Sequence, residues 1–358
     1  MKDKGIALLG IDLAKSCFQL HGVDANSKVI LNKKLSRNKL IELVANLPKC
    51  TIAMEACSGA SWFTRKFKAF GHDVKLIAPQ FVKPFVKGNK NDQADAQAIV
   101  EAALRPSMHF VAPKETWQQD IQMLHNIRSR LVHNKTALMN QIRGFLTEYG
   151  IVVAKGAMSL KKSLIEILQR SISCGDVSHL GVRMLQKLYS ELLRLEIEIK
   201  EYEKELKDMA KRSEECQRLL SVKGFGFLTV TSLISAIGDP SQFKNGRQFS
   251  AWLGLVPKHA GTGGKNRILG ISKRGNKYLR CLLIHGARSY VRVVVSKAKN
   301  NEPLDDLSCW IDRLHRKIGW NKTCVALANK NARIAWAILN FKEEYKPEKT
   351  SKIQKQAA

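Results

Sequence analysis

Between Leu185 and Met209 the residues Leu185, Leu188, Leu192, Leu195, Ile199, Tyr202, Leu206 and Met209 recur at intervals of 3, 4, 3, 4, 3, 4 and 3. A strand repeats its facing residues every second position, so this spacing fits only a helix carrying a narrow apolar seam. Kept up for roughly four heptads, it predicts a central coiled coil, formed by self-association of the chain or by an antiparallel partner helix within it. An ordinary core helix is the alternative. Upstream, the stretch from Glu115 to Gly150 predicts a second long helix. Leu124, Ile127, Leu131, Leu138, Ile142 and Phe145 lie along one side of it, and Arg128, Arg130, Lys135 and Arg143 along the other.

The first 80 residues follow a different rhythm. "IALLGIDLA", "CFQLHGVD" and "KVILNKKLS" read as three successive strands separated by turns. "NKLIELVANLP" has helical spacing with Asn38 as its cap, "CTIAMEAC" reads as a buried strand, "GASWFTRKFKAFG" as a helix and "HDVKLIAP" as extended chain. Three strands followed by alternating helices and strands predict a mixed sheet covered by helices, an α/β domain at the head of an otherwise helical chain.

Two carboxylates close strands in this domain: Asp12 in "LLGID" and Glu55 in "IAMEA". A charge flanked by aliphatic residues needs a partner, because burying it alone is costly. A helix then opens with Asp92 and Asp95 in "NDQADAQAIVE". Three positions apart on a helix, their Cβ atoms lie about 5–6 Å apart. At an effective dielectric near 20, two unit charges at that separation repel by roughly 3 kcal/mol. Acids in a first helical turn also favour the helix dipole and cap its free N–H groups, which accounts for the pair without further function. Four carboxylates converging at one sheet edge would instead hold Mg²⁺, a hard cation that takes oxygen ligands. Two such ions about 3.5–4 Å apart activate the attacking oxygen and stabilise the leaving one at a phosphodiester.

The formal charge of +29 over 358 residues points to a polyanionic partner. No apolar run approaches the length of a membrane span, and the chain is expected to act without a membrane. Its eight cysteines are scattered with no CxxC pair, which argues against a structural zinc site or disulfide framework and for a reducing cytoplasm. The charge is most one-sided between Lys258 and Lys299, where eleven cations occur without one Asp or Glu. Lys258, Lys265, Arg267, Lys273, Arg274, Lys277 and Arg280 lead this run and are the predicted nucleic-acid-binding residues. "HAGTGGKNR" within it reads as a glycine-rich loop able to bring backbone close to another chain. Gly224, Phe225 and Gly226 join two helical stretches, as in a helix-hairpin-helix module or a plain tight turn.

A strand-end Asp, a strand-end Glu and a later helical DxxD look like the acidic tetrad of RuvC-type nucleases on the ribonuclease H fold. "GIDLAKSCFQLHGVD", "MEACSGASWF", "NKNDQADAQAIVEAALRP" and "GLVPKHAGTGGKNRILGISKRGNKYLR" together resemble the DEDD transposases of the bridge-RNA-guided insertion sequences. The resemblance runs over nearly the whole chain. It implies a RuvC-like domain whose Asp12, Glu55, Asp92 and Asp95 bind metal, with two Mg²⁺ as cofactor and DNA and a guide RNA as partners. It also implies a nucleophilic serine followed by glycine in the basic loop. Here the matching position holds Thr262, followed by Gly263, so a threonine hydroxyl would attack with an extra methyl crowding it. Ser272, ten residues on, is the nearest serine and falls outside the position. "GIDLAKS" also resembles the phosphate-binding turn of sugar kinases and actin-like ATPases, but Ala14 replaces their glycine and no later nucleotide loop follows.

The division expected is a RuvC-like catalytic domain over 1–112, long helices and coiled coil over 113–215, a basic helix-hairpin-helix-like domain over 216–342 and a disordered tail over 343–358. The function expected is a cytoplasmic, nucleoid-associated DNA transposase or recombinase, homo-oligomeric through the coiled coil. Two alternatives account for the same charge. A structure-selective nuclease would need only the acids and water, and an inactive nucleic-acid-binding relative would need neither acids nor Thr262.

Overall fold

A computed structural model describes residues 5–86, 91–174, 177–262 and 265–346; the side chains of 171–174, 262, 265 and 266 lie outside the description. The chain divides into two compact units, Met1–Gln118 with Ile237–Lys244, and Gln119–Ala236 with Asn245–Ala358.

The first unit holds a mixed sheet of six strands in the order β3-β2-β1-β4-β5-β6. These are β1 Leu8–Asp12, β2 Cys17–Val23, β3 Val29–Ser36, β4 Thr51–Glu55, β5 Asp73–Ile77 and β6 Phe110–Val111. The β1–β2 and β2–β3 pairs are antiparallel, β1–β4 and β4–β5 parallel, and β5–β6 antiparallel. Helices α1 (Arg37–Asn46), α2 (Ala60–Ala69), the short α3 (Pro79–Val82) and α4 (Asp92–Ala103) accompany it.

The strands at the centre read as continuous apolar runs because helices bury both of their faces. Side chains alternate across the sheet. Leu9, Ile11, Ile52 and Met54 pack with Leu40 and Val44 of α1 and Phe63 and Phe67 of α2. Leu8, Ala53 and Ile77 face the other way, onto Ala98, Ile99, Val100 and Ala102 of α4. The mixed, helix-covered sheet expected from the strand pattern is therefore present. The strand β6, two residues long, carries too little pattern to be read in advance. Asn38 does not cap α1, which starts two residues earlier than that cap implies, at Arg37, with Ser36 at the N-cap position.

In the second unit, α5 (Thr116–Glu148, entering from Gln119), α6 (Ala157–Cys174) and α7 (His179–Arg212) share one apolar core. Leu185, Leu192, Leu195 and Ile199 from the α7 seam pack there with Leu131, Leu138 and Ile142 of α5 and Leu160 and Leu164 of α6. Burial of that seam thus comes from the same chain and needs no second copy.

The rest of the unit is α8 (Glu214–Leu220), α9 (Phe227–Ile237), α10 (Gly246–Trp252), a two-stranded antiparallel hairpin of β7 (Pro257–Thr262) and β8 (Lys265–Ile271), α11 (Lys277–Lys299), α12 (Asp306–Ile318) and α13 (Trp320–Phe341). Of the stretch expected as a glycine-rich loop, 259–262 and 265–267 are the paired strands of this hairpin, and 263–264 lie outside the described residues. Gly224, at φ +91°, lies against the backbone of Gly286 in α11. Nearby, Asn331 of α13, only 1% exposed, donates to the Lys223 carbonyl at 2.9 Å. Of the tail expected to be disordered, 347–358 lie outside the described residues. Among the described residues no helix is long and apolar enough to cross a membrane.

Candidate active site

Asp12 ends β1 and Glu55 ends β4, two neighbouring parallel strands. Their register runs to Ile11↔Met54, so the next step sets Asp12 beside Glu55. Alternation then fixes the face: Leu8, Gly10 and Asp12 point together, as do Ala53 and Glu55, and that is the face covered by α4. Both acids act on one thiol. Burial first, then Glu55, then Asp12 push the pKa of Cys57 up, which keeps that sulfur protonated beside them.

The helix α4 delivers the other two carboxylates. Asn91 caps it, its Oδ1 accepting from the Ala94 N–H at 2.7 Å, and Asp92 and Asp95 occupy the first turn. Gly10 lets the helix approach: a Cβ there would stand 2.7 Å from the Ala96 carbonyl oxygen and 2.6 Å from Val100 Cγ2. All four acids therefore belong to one face and one end of one sheet. Asp92 Oδ2 is held at 2.7 Å by Lys34 Nζ from β3. The hydrogen bond and the charge of Lys34 hold the Asp92 carboxyl below the usual range, and Asp92 in turn raises the Lys34 pKa.

Asp12, Glu55, Asp92 and Asp95 are the residues that could hold a cation here, and all of their donors are hard oxygens suited to Mg²⁺. Among the described residues no three His, Cys, Asp or Glu side chains stand close enough to hold a metal ion as they are. Lys34 and Gly10 gave little signal in the sequence. The lysine sits in an ordinary basic stretch, and only a glycine inside an apolar strand hints at a close approach.

The basic residues and Thr262 belong to the second unit. Thr262 is the last residue of β7, opposite Lys265 at the hairpin tip, with its side chain and Gly263 outside the description. Lys258 and Arg267 on the hairpin, Lys273 and Arg274 after it, and Lys277 at the start of α11 are exposed. Arg280 is not: it is 7% exposed, and its Nη1 donates to the carbonyls of Leu253 at 3.1 Å and Arg274 at 2.8 Å. It braces the loop from which Lys273 and Arg274 project. Glycines close the same joint, for a Cβ on Gly254 would strike the Arg274 carbonyl and one on Gly275 the Trp252 carbonyl. Ser272 Oγ is enclosed, with no hydrogen-bond partner among the described residues, so it is not presented to a substrate.

A buried polar chain lies beneath α11. His125 of α5 contacts Tyr278 Oη at 3.0 Å and Thr231 Oγ1 at 2.9 Å, and Arg128 of α5 pairs with Glu203 of α7 at 2.6 Å. Burial, then Arg128, lower the His125 pKa to about 4.

The acids and the basic hairpin each fall within a recognisable family span. A family model for IS110-type DEDD transposases matches residues 9–151, which include all four carboxylates, and one described as "Transposase IS116/IS110/IS902 family" matches 216–301, which include Thr262. The transposase for insertion sequence element IS1111A of Coxiella burnetii is 48% identical over 343 residues, 96% of this chain and 92% of that protein. A probable family 20 transposase of Pseudomonas aeruginosa is 43% identical, over 96% of this chain and 99% of its own length. The transposase for insertion sequence element IS1328 of Yersinia enterocolitica is 40% identical, over 93% and 96%. Likeness at this level over nearly the whole chain makes it a DNA transposase. It belongs to the IS116/IS110/IS902 family of insertion-sequence transposases.

Proposed function

We propose that the chain breaks and rejoins DNA phosphodiesters with a RuvC-like acidic site that binds two Mg²⁺ ions and with Thr262 as nucleophile. The observation that carries this reading is the placement of Asp12, Glu55, Asp92 and Asp95 on one face at one end of one sheet. Bound there, the ions would supply charge neutralisation at the scissile phosphate. Asp12 and Glu55 come from rigid strand ends and set the fixed half of the site. Asp92 and Asp95 come from a helix whose position depends on Gly10. Thr262 Oγ1 would form a bond to phosphorus as a DNA oxygen leaves, giving a covalent adduct that a second DNA end resolves. Lys258, Lys265, Arg267, Lys273, Arg274 and Lys277 would neutralise phosphates, and Arg280 would hold their loop in place.

Functionally the chain divides into a catalytic domain over 1–112, long helices over 113–215, a basic domain over 216–342 and a tail over 343–358. The reading includes a structured guide RNA that selects the DNA, a homo-oligomer, and action at the nucleoid. The charge of +29 supports the polyanionic partners.

A denaturing gel tests the reading with the element's junction DNA, its flanking RNA and Mg²⁺. A protein–DNA adduct lost in both Thr262→Ala and Asp92→Ala is the expected result. Cleavage without an adduct, retained in Thr262→Ala, would show a nuclease that uses water. Salt-sensitive binding with no cleavage would show an inactive relative.

A further inference from the structure

The Lys34–Asp92 pair sits where a purely structural ion pair has little to do. Lys34 is 56% exposed and Asp92 59%, and pairs this open to solvent add little to fold stability. Their placement is more informative. Leu31 and Leu35 turn to the core beneath α1 and α2, so Lys34 lies on the opposite face, the face of α4. The register runs Lys34↔Gln19 across β3–β2 and Gln19↔Asp12 across β2–β1. Lys34 therefore stands in the same cross-sheet row as Asp12, and its ammonium reaches over the sheet end to Asp92.

One Asp92 carboxylate thus has two claimants, the Lys34 ammonium and the cation that the acidic site would hold. Lys34 also has a second possible partner, since an exposed ammonium beside a site for DNA cleavage meets phosphate oxygens when DNA binds. We infer that Lys34 is a positioning residue that holds Asp92 away from the metal site until a DNA phosphate takes the ammonium, so that DNA binding and metal loading are coupled. This inference rests on the reading of the four acids as metal ligands. The exchange conserves charge pairs: one ammonium–carboxylate contact becomes one ammonium–phosphate contact, and the carboxylate passes to the cation. Reciprocity then requires that the metal tighten DNA binding by the same factor by which DNA tightens metal binding.

The test measures free Mn²⁺ by electron paramagnetic resonance in titrations of the full-length chain, with and without a short DNA duplex. Asp12→Ala with the same duplex supplies the baseline for Mn²⁺ bound by DNA itself. In the wild type, DNA should raise Mn²⁺ affinity by roughly fivefold or more, the lower end of ordinary coupling between sites. Lys34→Gln should bind Mn²⁺ without DNA more tightly than the wild type does without it, and DNA should then raise its affinity by a smaller factor than in the wild type, the remainder coming from the phosphate itself. Lys34→Arg keeps the cation and should keep the coupling. Equal Mn²⁺ affinities for the wild type and Lys34→Gln in both states would overturn the role of Lys34 while leaving the acids as ligands. Wild-type binding no greater than the Asp12→Ala baseline, with and without DNA, would overturn the metal-ligand reading and this inference with it.

Discussion

Gly10 in β1 lies directly under Ala96 in α4, so close that a Cβ would come within 2.7 Å of the Ala96 carbonyl oxygen. Ala96 follows Asp95 by one residue and Asp92 by four, so this contact sets the depth at which both acids are presented. Gly10→Ala should push α4 outward. Overpacking of this kind costs about 1–3 kcal/mol, and urea denaturation should show it. On the proposed function, cleavage in the presence of Mg²⁺ should fall by more than the loss of stability accounts for, because Asp92 and Asp95 move away from Asp12 and Glu55. Cleavage that matches the wild type under conditions where Gly10→Ala is fully folded would sever that link.

Arg280 and Lys273 make opposite predictions although both belong to the same run of cations. Arg280→Met leaves the carbonyls of Leu253 and Arg274 without their donor, a loss of about 1–3 kcal/mol in stability. Lys273→Ala should leave the melting temperature unchanged and reduce the salt slope of DNA binding by about one. Fluorescence anisotropy over a range of salt concentrations, beside thermal melts of each variant, separates the two. A melt lowered by Lys273→Ala and unmoved by Arg280→Met would reverse the assignment.

His125 ties stability to acidity. Its folded pKa, about 4, lies below the unfolded value of 6.5, so the folded state favours the neutral ring. Its contribution is complete above pH 6.5 and is lost as pH falls from there toward 4, by up to about 3 kcal/mol. Denaturant midpoints across that window should drop in the wild type and drop less in His125→Gln. Identical slopes for the two proteins would remove His125 as the source.

Gly286 in α11 faces the carbonyl of Gly224, with no room for a side chain. Gly286→Ala should destabilise the chain by about 1–3 kcal/mol, against the usual gain from replacing glycine by alanine in a helix. A melting temperature at or above that of the wild type would refute the contact.

The placement of the acids was legible because each sits at an abrupt change of pattern. Asp12 and Glu55 end apolar runs, and Asp92 and Asp95 follow a polar stretch of sequence at a helix start. Which face they share was not, because it depends on register, a property of pairs of strands. The α7 seam announced a helix but not its cover, since the spacing of Leu185, Leu192 and Leu195 is the same whether α5 and α6 or another chain lies against it. The β7–β8 hairpin was hidden by its glycines, which read as loop. Arg280 looked like its neighbours because a brace and a phosphate contact need the same guanidinium.

Among the described residues, five glycines, Gly10, Gly224, Gly254, Gly275 and Gly286, face backbone at distances that exclude any side chain. Every missense change in a glycine codon adds at least one carbon, so none of these positions has a conservative neighbour in the genetic code. Copies of the element drifting by random mutation are therefore expected to fall silent through these glycines, with Asp12, Glu55, Asp92 and Asp95 all still in place.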